Sequence, residues 1–131
     1  MAELNVAVVS AERRIWSGVA KSVVAKTPDG EIGIMPGHEP VLAVLVDSPL
    51  RIETLDGTKI VVAAHGGFFS VDSNNVSIIS EVAELAQDID LERAKAALER
   101  AKASPDDPDE YAATKRAETR IQAAGIAKGL N

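Results

Sequence analysis

The chain contains no cysteine. That absence removes disulfides, thiol nucleophiles and thiolate metal sites together, and it suits a reducing compartment. Aromatic residues make up only 3%, with one tryptophan, one tyrosine and two phenylalanines. The core must therefore come from Val, Ile, Leu and Ala, and a sandwich that stacks sugars on exposed rings is disfavoured. Trp16 follows Ile15 in an apolar stretch and is expected in the core or an interface. The only histidines, His38 and His65, each sit beside a glycine. Neither has a helical histidine partner of the kind that builds a hydrolytic metal site, and "HGGF" lacks the strand-to-helix context of a phosphate loop. No catalytic residue and no metal ligand is assigned. No window approaches the roughly 18 consecutive apolar residues that a bilayer span needs. The opening "MAELNVAVVS" lacks the basic start of a signal peptide. The expectation is a soluble protein that reaches any membrane through a partner. Excess positive charge is missing as well. Lys and Arg number 14 against 20 Asp and Glu, for a net charge of −6. A nucleic-acid binder needs the opposite balance.

What is present divides the 131 residues in two. Residues 1–85 carry 6 basic and 11 acidic side chains, while residues 86–131 carry 8 and 9. The second part is about twice as densely charged yet nearly balanced, as solvated amphipathic helices are. In the first part, short apolar clusters alternate with turn signals: "LNVAVVS", "RIWSG", "AKSVVAKT", "IGIM", "VLAVLV", "PLRIETL", "TKIVVAA", "GFFSV" and "NVSIISE". Turns are expected at Pro28-Asp29-Gly30, Pro36-Gly37, Gly66-Gly67 and Ser73-Asn74-Asn75. Asp56-Gly57 gives the clearest hairpin signal, expected as a type I′ turn. It is flanked by Leu50, Ile52 and Thr54 on one face and Arg51 and Glu53 on the other. Eight to ten short strands with this spacing predict a β-sandwich or barrel over residues 1–85.

After Glu84 the period changes. Asp90 is a good N-cap, with Ile89 and Ala94 placed for a hydrophobic staple. Leu91, Ala94, Ala97, Leu98 and Ala101 form one arc of a helix. Ser104-Pro105-Asp106-Asp107-Pro108 stops it, and a second helix is expected from about Asp109 to Ala124, with Ala113, Ala117, Ile121 and Ala124 on one side. Gly125 and Gly129 are expected to loosen the tail. Residues 86–131 thus read as an antiparallel helical hairpin. Its stripes are mostly alanine. A buried leucine contributes about 1.5–3 kcal/mol, an alanine methyl nearer 0.8. The hairpin is therefore expected to be weakly held and able to leave the sandwich, as switching elements do; a static hairpin is the competing reading.

The segment "DGEIGIMPGHEPVLAVL" has Gly30, Gly33, Pro36 and Gly37 punctuating two apolar runs. It is expected to form a rigid loop whose tip presents Glu31, His38 and Glu39 to a partner. Here a resemblance takes hold. "GEIGIMPGHEPVL", "GGFFSV", "DIDLERAKAALERA" and the opening "LNVAVVSAERRIWSG" together resemble the epsilon subunit of bacterial F-type ATP synthases, over nearly the whole chain and in the same order.

That resemblance implies a β-sandwich of two five-stranded sheets followed by an α-helical hairpin. It implies a non-catalytic rotor subunit of a proton-translocating ATP synthase, at the cytoplasmic face of the plasma membrane. Its partners would be the gamma subunit and the c ring, with catalytic head subunits added when the helices extend and restrain ATP hydrolysis. Glu31 and His38 match the family positions that face the c ring. The resemblance further implies a regulatory ATP site, with no cofactor required, at Ile89, Asp90, Arg93 and Ala94, assisted by Arg100, Arg116 and Arg120. If the alanine stripes pack together, the arginine pairs bordering them converge at the seam, and their planar donor forks suit phosphate oxygens. Helix capping by Asp90 and Ile89 accounts for the same letters without a ligand. A free-standing sandwich adaptor for a peptide or small ligand is the rival reading of the whole chain.

Overall fold

The computed structural model describes residues 2–103 and 107–127. Nine strands come first: β1 (Leu4–Ser10), β2 (Arg14–Thr27), β3 (Gly30–Ile34), β4 (Val41–Val44), β5 (Ser48–Thr54), β6 (Lys59–His65), β7 (Phe68–Asp72), β8 (Asn75–Ser80) and β9 (Val82–Leu85). A 3₁₀ turn over Ala86–Asp88 leads to α1 (Leu91–Lys102) and α2 (Pro108–Ala127).

The sandwich turns on β2, which is 14 residues long. Its first half pairs antiparallel with β1, from Arg14 to Ala20. Its second half pairs with β3 and β5. The register against β5 slips between Ala20 and Ser22, an irregularity that bends the strand from one layer into the other. One layer is therefore β4-β7-β8-β1-β2 and the other is β3-β2-β5-β6-β9, five strands each with β2 shared. "RIWSG" and "AKSVVAKT" do not separate, because Gly18 makes room rather than a turn. A Cβ there would lie 2.9 Å from the Trp16 ring. Trp16 packs half-buried against the core, as expected.

Period-2 alternation fills the space between the layers. Leu4, Val6 and Val8 of β1, Leu50 and Ile52 of β5, Phe69 and Val71 of β7, and Val76 and Ile78 of β8 all point into one core and are buried. β6 departs from that pattern. From Val61 to His65 it is buried on both faces. Val62 and Ala64 join the main core, while Val61 and Ala63 join a second cluster with Ala86, Ala123, Ile89 and Ile126. The second cluster lies under α2, so α2 covers the outer face of β6. A continuous apolar run marks a strand covered on both sides.

Two local expectations change. At Asp56-Gly57 only the glycine has positive φ, 87°. Gly57 N–H bonds the Thr54 carbonyl at 3.0 Å, and Thr54 N–H bonds the Thr58 carbonyl at 2.9 Å. This is a three-residue connection closed by a left-handed glycine, not a type I′ turn. Type I′ geometry occurs instead at Ser73 (φ 51°) and Asn74 (φ 67°), where Asp72 pairs with Asn75 and leaves just two residues to reverse the chain. The short strand β9, absent from the sequence expectation, is made by Ser80. Its hydroxyl lies 2.8 Å from the carbonyls of both Gly66 and Val82. That buried corner sends the chain from β8 in one layer to β9, beside β6, in the other.

The hairpin forms as expected. Ala94 and Ala101 on α1 and Ala117 and Ala124 on α2 are buried. α1 packs chiefly on α2, and α2 in turn lies on β6 and β5. α2 is buried on a further side through Thr119 and Ala123, and it runs through Gly125 to Ala127 instead of stopping at Ala124. Helix contacts on both sides of Gly125 outweigh its weak propensity, of order 1 kcal/mol. Gly129 and residues 104–106 of the expected link lie outside the described residues.

Candidate functional site

α1 starts because Asp90 caps it. The Asp90 backbone is extended, and its Oδ1 accepts the Arg93 amide at 3.0 Å. The cap fixes the rotation of α1, and that rotation turns Arg93 and Arg100 toward a cleft of about 420 Å³ whose floor includes Ile89, Ala94 and Ala97. Arg120 enters from α2, and Glu84 and Asp88 enter from β9 and the 3₁₀ turn. Six of the seven residues expected from the sequence meet here: Ile89, Asp90, Arg93, Ala94, Arg100 and Arg120. Arg116, one turn before Arg120, is not among the lining residues. The two arginines share a face of α2, so they differ by position along the axis: the cleft reaches Arg120 but not the turn before it.

The sequence reading missed the acidic wall. Glu84 Oε1 accepts a hydrogen bond from Arg120 Nε and lies 3.5 Å from His65 Nε2. The His65 ring beside it does most to hold the Glu84 carboxyl down, and Arg120 adds to this while partial burial works against them; the result is about 2. Its signal in the sequence was faint: a lone carboxylate just before the change of period. Arg93 and Arg100, by contrast, are exposed and have no carboxylate within ion-pair distance among the described residues. The cleft therefore offers two uncommitted guanidiniums and one held by Glu84, the donor set that an oligophosphate takes.

Glu31 and His38 are not brought to one tip. Glu31 opens β3, pairs with Lys26 across the hairpin and is bonded by Arg51. His38 lies beyond the other end of β3. Its Nδ1 is 2.7 Å from the Glu39 carbonyl, and the preceding Gly37 amide bonds Asn74 Oδ1 at 2.8 Å. The strand from Glu31 to Ile34 alone separates them by about 10 Å. The expected loop begins as a strand because "EIGI" pairs fully with β2.

The layer away from the helices carries an apolar outer face. Val44 pairs with Phe68, and Phe68 with Ile79, in one row across β4, β7 and β8. These side chains are 50%, 55% and 57% exposed, and Leu42 nearby is 73% exposed. Such a patch marks an interaction surface.

Comparison with known proteins agrees with this anatomy. Residues 3–86 match the family described as ATP synthase, Delta/Epsilon chain, beta-sandwich domain. The ATP synthase epsilon chain of Streptomyces avermitilis is 50% identical over 122 residues, 93% of this chain and 95% of that one. That of Micrococcus luteus is 56% identical over 85 residues, 65% of this chain but 93% of that one. Among solved structures, a chain of the Euglena gracilis mitochondrial ATP synthase (OSCP, F1 and c-ring, rotational state 1) superposes with TM-score 0.76 at 26% identity, covering 100% of this chain and 83% of that one. With sandwich, helical pair and sequence all in register, the chain belongs to the ATP synthase epsilon chain family.

Proposed function

We propose that this chain is a non-catalytic rotor subunit that couples gamma to the c ring through its sandwich and restrains ATP hydrolysis through its helices. The observation that carries the reading is a division of faces. The apolar row Val44–Phe68–Ile79 lies on one layer, and α2 lies on the outer face of the other. A gamma-type coiled coil seated on the apolar row would leave the helical hairpin free to depart. The contact under α2 is small and rich in alanine, which supports departure. The M. luteus relative is matched over 93% of its length by 85 residues, about the size of the sandwich, which supports placing the coupling role in a body of that size. Glu31 and His38, being apart, would touch the c ring at separate points on it. No helix of the described residues is long and apolar enough to cross a membrane; attachment to the cytoplasmic face of the plasma membrane would run through these partners.

The test is ATP hydrolysis by the reconstituted head with the full chain and with a chain ending before Gln87. The truncated chain is expected to assemble and to raise hydrolysis. Equal rates would overturn the inhibitory role.

A regulatory nucleotide site has its own support in the cleft shared by Ile89, Asp90, Arg93, Ala94, Arg100 and Arg120. Nucleotide bound there joins α1 to α2 and β9, so it favours the folded hairpin and relieves inhibition. Calorimetry with ATP is expected to show binding that Arg93→Ala weakens. No heat at millimolar ATP would exclude it.

A further inference from the structure

Neither coupling nor nucleotide binding uses His65. It closes β6, is 7% exposed, and neither ring nitrogen has a hydrogen-bond partner. Its amide bonds Ser80 Oγ at 3.2 Å, so the backbone is fixed. Asp47 Oδ2 lies 4.0 Å from Nδ1, and Glu84 Oε1 lies 3.5 Å from Nε2. Both neighbours are carboxylates. A neutral imidazole has one N–H and must turn a lone pair toward one of them; only the imidazolium donates to both. Glu84 in turn holds Arg120 of α2, and α2 packs on β6 and lines a cleft with Asp47.

We propose that Asp47, His65, Glu84 and Arg120 form a proton-operated latch that seats α2 on the sandwich. With the ring doubly protonated, two carboxylates and two cations balance beneath the helix. When the ring loses a proton, two partly buried carboxylates face one cation, and charge drawn from water without a partner is costly. Lifting α2 rehydrates Asp47 and Glu84 and relieves the imbalance. Docking is therefore strongest with the ring doubly protonated and weakens when rising pH removes its second proton. Other charged groups face the latch from each side. Lys115 and Glu118 of α2 and Lys26 of β2 share a cleft with Asp47. Arg93 and Arg100 of α1 and Asp88 share the other cleft with Glu84.

The latch rests on the reading that the hairpin can leave, and it is tested apart from hydrolysis. Because the chain lacks cysteine, Thr58→Cys and Ala112→Cys give two exposed labelling sites, on the β5–β6 turn and on α2. Energy transfer between dyes at these sites reports docking of the full chain. From pH 5.5 to 8.5 the docked-to-undocked ratio is expected to fall about tenfold, the worth of one hydrogen bond to a charged group. His65→Gln is expected to abolish the dependence and Asp47→Asn to reduce it, the latter serving if the former does not fold. A ratio that stays flat or rises with pH overturns the latch, as does full wild-type dependence in either variant. A flat titration alongside intact inhibition sinks the latch alone. Docking that follows pH while hydrolysis ignores the hairpin sinks the inhibitory reading alone.

Discussion

Glu84 and Arg120 stand 36 positions apart in the chain and are ion-paired, carboxylate to guanidinium Nε, across the boundary between the last strand and the second helix. Their side chains are only 26% and 29% exposed, so solvent screens the pair weakly. This pair joins the sandwich to the hairpin and also commits the Arg120 guanidinium, within the cleft, to Glu84.

The pair has a pH signature at the acid end. Glu84 has a folded value near 2 against an ordinary 4.5. A depressed carboxylate contributes stability that is complete above its unfolded value and is lost as pH falls through its folded value. Folded-state stability is expected to drop by an amount on the order of 2 kcal/mol between about pH 4.5 and 2, with only the Arg120 share of it belonging to docking. Glu84→Gln should flatten that limb in a melting series from pH 5 to 2. An unchanged limb in the variant would assign the acid loss to other carboxylates.

Ala123 is fully buried between α2 and β6. Ala123→Leu adds three carbons where there is no room, and overpacking of this kind costs about 1–3 kcal/mol. The strain falls on the hairpin's seat and not on the main core. Hydrogen exchange should therefore speed up in α1 and α2 while β1, β5 and β8 keep their protection.

Phe68→Glu and Ile79→Asp change exposed positions on the apolar row. The chain's own stability is expected to shift by no more than about 0.5 kcal/mol. Affinity for a gamma-type coiled coil should fall by about tenfold or more, since buried aromatic anchors dominate interfaces. Binding titrations run beside urea melts separate the two effects, and undiminished affinity would move the docking face elsewhere.

Gly67 tests the corner between β6 and β7. Its φ is +112°, and a Cβ there would lie 2.1 Å from the Ile79 carbonyl oxygen, a backbone atom that cannot swing away. Gly67→Ala is expected to destabilise the sandwich by about 2–4 kcal/mol, read from the urea midpoint. Gly37→Ala is the control, with strained φ but nothing within 4 Å of the added carbon, and it should cost less.

Much of the fold was legible because its signals are local. Alternation at Leu50 and Ile52 located β5, and the Asp90 cap located the start of α1. The failures share a cause. Gly18 looks like a break but lies mid-strand, because the Trp16 ring needs the space. The type I′ geometry expected at Asp56-Gly57 occurs at Ser73-Asn74 instead, because cross-strand register decides how many residues remain to turn. β9 went unseen because a four-residue strand carries too little periodicity, and a buried Ser80 hydroxyl makes it.

The candidate site divides along the same line. Arg93 and Arg100 share a face of one helix, and a spacing of seven residues is enough to say so. Arg116 and Arg120 share a face of α2 as well, but the cleft reaches only Arg120, because where α2 lies along the rest of the fold is not written in the spacing.

The sequence by itself determined where most of the strands lie, where the helices begin, and that their contact would be made of alanine, since each follows from neighbours a few positions away. Only the tertiary structure decided that β2 belongs to both layers, that Glu31 and His38 stand apart, and that His65, Asp47, Glu84 and Arg120 gather beneath one helix. Those outcomes depend on which distant strands pair and which helix face meets the sheet, and burial strengthens charge interactions only after such pairing has excluded the water.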